Sequence, residues 1–299
     1  MPNWNAVLAE IDQETRRAPI DQIRRNYLNQ LHEHTGRNVI AYYSGFMQKK
    51  SPEAAALGAV NDDDKNGFMS VIHEMNPELG LDLILHTPGG DIAAAESIVA
   101  YLRAKFGTNI RAIVPLSAMS AGTMIACSCK EIIMGKQSNL GPFDPQFGGI
   151  PAYGVLEEFE KAKAEILADP RAANYWQFII SKYHPTFIGQ CEKAIQWAGQ
   201  IVQAWLESGM FAAEENPNAA AARVVAELNN HTDTFAHARH IHMDKALELG
   251  LKIVRLEDDQ ILQDLVLTVH HAYMHAIGSS NVVKSIENHS GRGMFWNVA

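Results

Sequence analysis

His86-Thr87-Pro88-Gly89-Gly90-Asp91, followed by IAAAESIVAYLR to Arg103, is the stretch on which the fold reading turns. It is preceded by the apolar run LDLILHT (81–87) and followed by a second run, IRAIVP (110–115). A short apolar run closed by Pro-Gly-Gly reads as a strand buried on both faces. Ile98, Val99, Leu102 and Phe106 then recur at helical spacing. Strand, helix and strand in that order make a βαβ unit with a right-handed crossover and a parallel sheet.

Outward from this unit the alternation continues. GRNVIAYYSGF (36–46) reads as an earlier strand, NDDDKNGFMSVIHEM (61–75) as a capped helix, and EIIM (131–134) as a later strand. The three aspartates at 62–64 are read as serving the helix N-terminus. Residues 152–230 are mostly helical in pattern. DKALELGLKIVRLE (244–257) reads as a helix closed by Gly250 and then a strand. DQILQDLVLTVHHAYMHAI (259–277) is a terminal helix, and SSNVVKSIENHSGRG reads as a polar, glycine-containing tail. The expected organisation is an N-terminal helical segment (1–35), an α/β core (36–257) with a helical insertion (152–230), and a C-terminal helix and tail (258–299). Arg16, Arg17, Arg24 and Arg25 are read as a solvated basic helix face.

Composition bounds the function. The 299 residues are 47% apolar and 20% charged, as in globular proteins. Against 25 Lys and Arg stand 34 Asp and Glu, a net charge of −9, which argues against sequence-independent nucleic-acid binding. The three cysteines form no CxxC pair and fit a reduced, cytoplasmic compartment. Residues 112–129 carry no charge and are long enough for a membrane span. Pro115, Gly122 and several hydroxyl groups make a strand followed by a buried helix the better reading, so membrane association is expected only through partners.

Two features fall at the ends of neighbouring strands, where α/β proteins build their sites. The Gly89-Gly90 pair can turn backbone N–H groups into a cleft, although tight turns use glycine for steric reasons alone. Ser120, in Met119-Ser120-Ala121-Gly122-Thr123, can present its hydroxyl to the same cleft from a helix start. Serine at that place is otherwise a common N-cap, and Ser117 could be the cap instead.

HTPGGDIAAAESIVAYLR together with VPLSAMSAGTMIACSCKEIIMG resembles the Clp–crotonase superfamily, in its ClpP, SppA and NfeD pattern. The serine dehydrogenase proteinase family is the nearest likeness. The resemblance runs from about Arg37 to Gly149, and more loosely through 242–254. It implies a spiral of ββα units with a mainly parallel sheet and an added helical layer. It implies a serine peptidase acting on peptides or proteins, with Ser120 as nucleophile, Gly90 and Ala121 as oxyanion N–H donors, and Gly89 allowing the turn. It implies a homo-oligomer. His240 and His242 have no matching Cys or carboxylate spacing and HExxH is absent, so no metal or cofactor is expected. Where the ClpP pattern has a histidine loop, this chain has Phe143-Asp144-Pro145-Gln146-Phe147-Gly148-Gly149. Asp144 stands in the place of the histidine, and His237 precedes the segment where the other triad member is expected. The family order Ser, Asp, His therefore gives Ser120, Asp144 and His237. A Ser–Lys dyad with Lys161 or Lys163 is the rival arrangement. A crotonase-type acyl-CoA enzyme and a non-hydrolytic assembly or regulatory protein are the alternative functions.

Overall fold

The structure is a computed structural model, and it describes residues 20–229 and 239–298. The chain enters through α1 (Ile20–Thr35) and β1 (Asn38–Ser44), then α2 (Pro52–Gly58) and α3 (Asp64–Ile72). β2 (Leu81–His86), α4 (Ile92–Phe106) and β3 (Ile110–Val114) form the expected βαβ unit. A two-residue β4 (Ser117–Ala118) leads into α5 (Ala121–Cys127) and β5 (Glu131–Met134). Short strands follow at β6 (Asn139–Leu140), β7 (Gln146–Phe147) and β8 (Ile150–Pro151). Then come α6 (Ala152–Ala168), α7 (Ala173–Ile180), α8 (Phe187–Ser208) and α9 (Pro217–Leu228). β9 (Ile241–His242), α10 (Met243–Leu249), β10 (Ile253–Arg255), α11 (Gln260–Gly278), β11 (Val282–Asn288) and β12 (Gly293–Asn297) complete the described chain.

The central sheet has seven strands in the order β10-β5-β3-β2-β1-β11-β12. The first five are parallel, and β11 and β12 are antiparallel additions. This is the mainly parallel α/β sheet that the resemblance implies. Alternate side chains explain why the strands read as unbroken apolar runs. Ile40, Tyr42, Leu83, Leu85, Ala112 and Val114 face one core with α3, α4 and α5. Val39, Ala41, Tyr43, Ile84 and Ile113 face the other with α1 and α11. Both faces are covered, so neither needs polar positions. The uncharged stretch 112–129 divides into β3, β4 and the seven-residue α5. Among the described residues no helix is long and apolar enough to cross a membrane.

Three expectations need correction. Residues 282–297 are not a polar tail but a hairpin, with β11 paired to β1 from Ile40↔Asn288 to Ser44↔Lys284. Its Lys284 and Glu287 are fully buried because each has partners far away in sequence. Nor is Arg24 solvated. It is buried against Glu287 (Nε to Oε2, 2.7 Å), and Arg25 reaches the same carboxylate at 2.7 Å. Arg16 and Arg17 lie outside the described residues. Asp64, finally, does not serve the helix dipole at the surface. It is fully buried with Lys284 Nζ 2.5 Å from its Oδ1. Burial pushes the Asp64 carboxyl up and the Lys284 ammonium down, and each is opposed by the other's charge.

Of the helices over 152–228, α8 packs against α5, while α6 forms a separate small cluster with α8. Ala198, Val202 and Leu206 of α8 and Val224 and Leu228 of α9 join the core under α4 and α5. The apolar face of α11 is spent against α1 and β1. The stretches 191–211 and 259–277 therefore bury most of their apolar residues inside the chain. Leu167, Tyr175, Phe178 and Ile261 are the large apolar side chains left most exposed.

Behind the end of β2, the His86 ring is enclosed by Tyr43, Phe46 and His270, with centroids at 5.5, 5.0 and 5.2 Å. Burial lowers the His86 pKa to about 4, opposed by the Ser117 backbone. Burial lowers that of His270 as well. An unfolded histidine titrates near 6.5. Between about pH 6.5 and 4 the unfolded chain thus binds a proton that folded His86 refuses, so stability falls as pH falls through that window. His86→Phe should shrink this acid loss by an amount on the order of 3 kcal/mol at most. Urea midpoints at about pH 7.5 and 4.5 check it, and an unaltered pH dependence in the variant refutes it.

Candidate active site

β2 ends where its chain turns toward β4. Thr87 N–H donates to Ser117 O at 3.1 Å and Met119 N–H donates to Thr87 O at 3.0 Å. This pairing lays the Gly89-Gly90 turn directly against Ser120. Gly89 has φ +93°, and a Cβ there would come within 2.5 Å of both Met119 O and Ser120 Cβ. Gly90 has φ +155°, and its Cβ would overlap the Val60 backbone, 2.5 Å from Val60 N. Only glycine satisfies either position, on both conformational and steric grounds. After the turn, Asp91 caps α4 by accepting from Ala94 N at 2.9 Å.

Ser120 stands at the start of α5 with φ +51° and ψ −119°. That conformation is costly for any residue with a Cβ, and such outliers gather at functional sites. The side chain makes no capping hydrogen bond, so the ordinary N-cap role does not account for the serine. Ser117, the other cap considered, is buried in β4. The elbow is held by its surroundings. Gly122 N–H donates to Met119 O at 2.8 Å, and Met124 N–H to Ser120 O at 3.1 Å. Thr123 Oγ1 donates to Ala118 O at 2.7 Å and accepts from Gly141 N at 2.9 Å. The second bond ties the elbow to the loop that carries Asp144.

Two backbone donors are left over. Val60 N–H donates to Gly89 O at 2.8 Å, and Asp91 N–H donates to Val60 O at 2.9 Å. In the trans peptide between Gly89 and Gly90 the oxygen and the hydrogen point in opposite directions. With Gly89 O aimed at Val60, the Gly90 N–H points away from it. Ala121 is the first residue of α5, where N–H groups have no intrahelical acceptor. Among the described residues neither N–H has an acceptor.

Ser120, Gly89, Gly90 and Asp144 line one cavity of about 930 Å³. Phe46, Phe143, Phe147 and Trp197 contribute apolar walls. Asp144 is buried, and together with burial its charge raises the pKa of Tyr153. Lys161 and Lys163 are exposed on α6, away from the cavity, and Lys163 pairs with Glu160 at 3.5 Å. His237 lies outside the described residues. No described histidine lines the cavity, and His86, though next to the turn in sequence, is sealed in the core behind it. Sequence reasoning misses Val60, the clamp on the turn, and Trp197 on α8. Neither carries a motif, since both act through position alone.

A hydroxyl held on a strained elbow in a walled cavity, with free N–H groups on the next residue and on the glycine turn packed against it, can attack a carbonyl and have the resulting oxyanion stabilised. Comparison with known proteins points the same way. Residues 11–287 match the family of ClpP-like SDH-type serine proteinases. Two uncharacterised proteins of Methanocaldococcus jannaschii are similar, one 39% identical over 103 residues and the other 37% identical over 107. These alignments span 34% and 36% of this chain and 36% of each relative. The family match covers nearly the whole chain, and on that ground the chain belongs to the ClpP-like SDH-type serine proteinases.

Proposed function

We propose that this protein is a serine peptidase that hydrolyses peptide bonds through an acyl-enzyme on Ser120. The observation that carries the reading is the strained, uncapped Ser120 packed against Gly89, with the free N–H groups of Gly90 and Ala121 beside it. Ser120 Oγ attacks the scissile carbonyl. The N–H pair of Gly90 and Ala121 stabilises the tetrahedral oxyanion, and water then releases the acyl group.

For proton transfer we assign His237 as base and Asp144 as the carboxylate that orients it. A carboxylate is itself a poor base for serine near neutral pH, so Asp144 alone does not suffice. Two contacts bring the described residues on either side of the stretch that carries His237 to the Asp144 loop. Leu228 O accepts from Phe143 N at 2.8 Å, one residue before Asp144. Ile241 pairs with Leu140 on the strand that leads into the same loop. The chain thus leaves and re-enters its described part beside the Asp144 loop. The exposed Lys161 and Lys163 do not favour the dyad. The substrate is expected to be a peptide or protein, and the assembly a homo-oligomer. Light scattering that gives a monomer of 33.0 kDa at micromolar concentration would remove the oligomer.

A fluorophosphonate probe should add covalently to Ser120 and to no other serine, as read by peptide mass, and Ser120→Ala should abolish both labelling and peptidase activity. Peptide hydrolysis that persists in Ser120→Ala sinks the reading, whereas stabilisation by acyl-CoA without labelling would favour an acyl-CoA enzyme. Gly89→Ala forces a methyl group into Ser120 and should slow labelling by about 100-fold or more.

Activity should rise with pH through a value near 6.5, where an unperturbed imidazole loses its proton and becomes a base. His237→Ala should lower turnover about as far as Ser120→Ala, because triad members act as a unit. Lys161→Ala and Lys163→Ala should stay near the wild-type rate. A dead lysine variant beside an active His237→Ala would replace the triad with the dyad.

A further inference from the structure

Val60 has two peptide units, and each is gripped on both edges. In the Ala59–Val60 unit, the N–H donates to Gly89 O at 2.8 Å while the carbonyl accepts from Lys284 Nζ at 2.9 Å. In the Val60–Asn61 unit, the carbonyl accepts from Asp91 N–H at 2.9 Å while the N–H donates to Asp64 Oδ2 at 3.0 Å. One edge of each unit holds the turn that carries Gly90. The other edge is held by Lys284 and Asp64, which form a fully buried ion pair 2.5 Å apart.

We propose that the buried Lys284–Asp64 pair is the positioning device of the oxyanion turn, fixing the direction of the Gly90 N–H through the two peptide planes of Val60. The inference rests on the peptidase reading for its catalytic meaning, but the clamp itself is a property of the fold. Neither residue touches the cavity that holds Ser120, so both act through Val60. The pair is itself fixed from outside. Tyr42 OH donates to Asp64 Oδ2 at 2.7 Å, and the Lys284 ammonium lies 4.8 Å from the centroid of the Trp296 ring. Trp296 Nε1 in turn donates to Asp63 Oδ2 at 2.7 Å.

The geometry carries a chemical consequence. A free N–H is effective on an oxyanion only when its direction is set before the charge develops. A turn made of two glycines has little stiffness of its own. Hydrogen bonds to charged groups are shorter and stronger than neutral ones, and inside the core they are little screened. An ion pair that bonds one partner to each peptide plane therefore fixes the orientation of both at once.

The test uses Lys284→Met, Asp64→Leu and the double variant of the full-length protein. Each single change leaves a lone buried charge and should lower Tm, whereas the double variant removes both charges and should regain most of that loss. Fluorophosphonate labelling of Ser120 should nevertheless stay about 100-fold slow in the double variant, because the Val60 peptides have lost both charged partners and Ala59 O keeps only the Asn61 side-chain amide at 3.2 Å. Hydrogen exchange at the Val60 and Asp91 amides should also speed up by at least about tenfold there, with β2 amides unaltered. If labelling recovers together with Tm, or if Val60 and Asp91 stay protected, the positioning role is overturned. If their protection is lost but the wild type is never labelled at Ser120, the clamp stands and the peptidase reading falls. If the double variant does not regain stability, faster exchange at Val60 and Asp91 in Lys284→Met under native conditions still supports the clamp, and unaltered exchange there overturns it.

Discussion

Three stretches of backbone meet at Gly89 and Gly90 with less room between them than a methyl group needs. On one side stands the Ser120 elbow, on the other Val60. Everything else in the site follows from keeping that contact closed. β2 must end beside β4 so that Thr87 can pair with Ala118. α5 must begin at Ser120, and Val60 must reach the far side of the turn. A hydroxyl, a glycine turn and a carboxylate then share one cavity although they come from three separate segments of the chain.

Buried charge holds the surrounding frame together. Asp82, inside β2, is bonded to Arg37 at 2.6 Å and to Arg111 at 2.7 Å, which ties the starts of β1, β2 and β3. Glu287 gathers Arg24, Arg25 and Tyr273 between α1, α11 and β11. Asp64 and Lys284 join the α3 start to β11. Such pairs add little net stability over an apolar core, because desolvation offsets the attraction. Their directionality is another matter. Each carboxylate demands partners at set angles, so each pair fixes how the elements at its two ends sit.

The parallel sheet was legible because each of its inner strands is covered on both faces and so reads as an apolar run, as in LDLILH and IRAIV. The double motif was legible because a glycine pair and a serine lie at fixed distances from those runs. β11 was not, since VVKSIEN places Lys284 and Glu287 in the core and their partners lie more than two hundred residues upstream. The same blindness turned Arg24 into a surface residue and Asp64 into a helix cap. Val60 shows the general limit. Its importance resides in two backbone groups, and nothing about a valine side chain announces them.

The hairpin β11–β12 has a consequence for the order in which the molecule can be made. A ribosome delivers β1 more than two hundred residues before its antiparallel neighbour, so one edge of β1 waits for all of the chain between them. Pairings this distant in sequence form slowly, after the local units are in place. Until β11 docks, Asp64 has no cation beside it and the outer grip on Val60 is half made. A nascent chain can therefore own its serine and both glycines and still hold them loosely. The cleft is finished only after β11 has been made and docked.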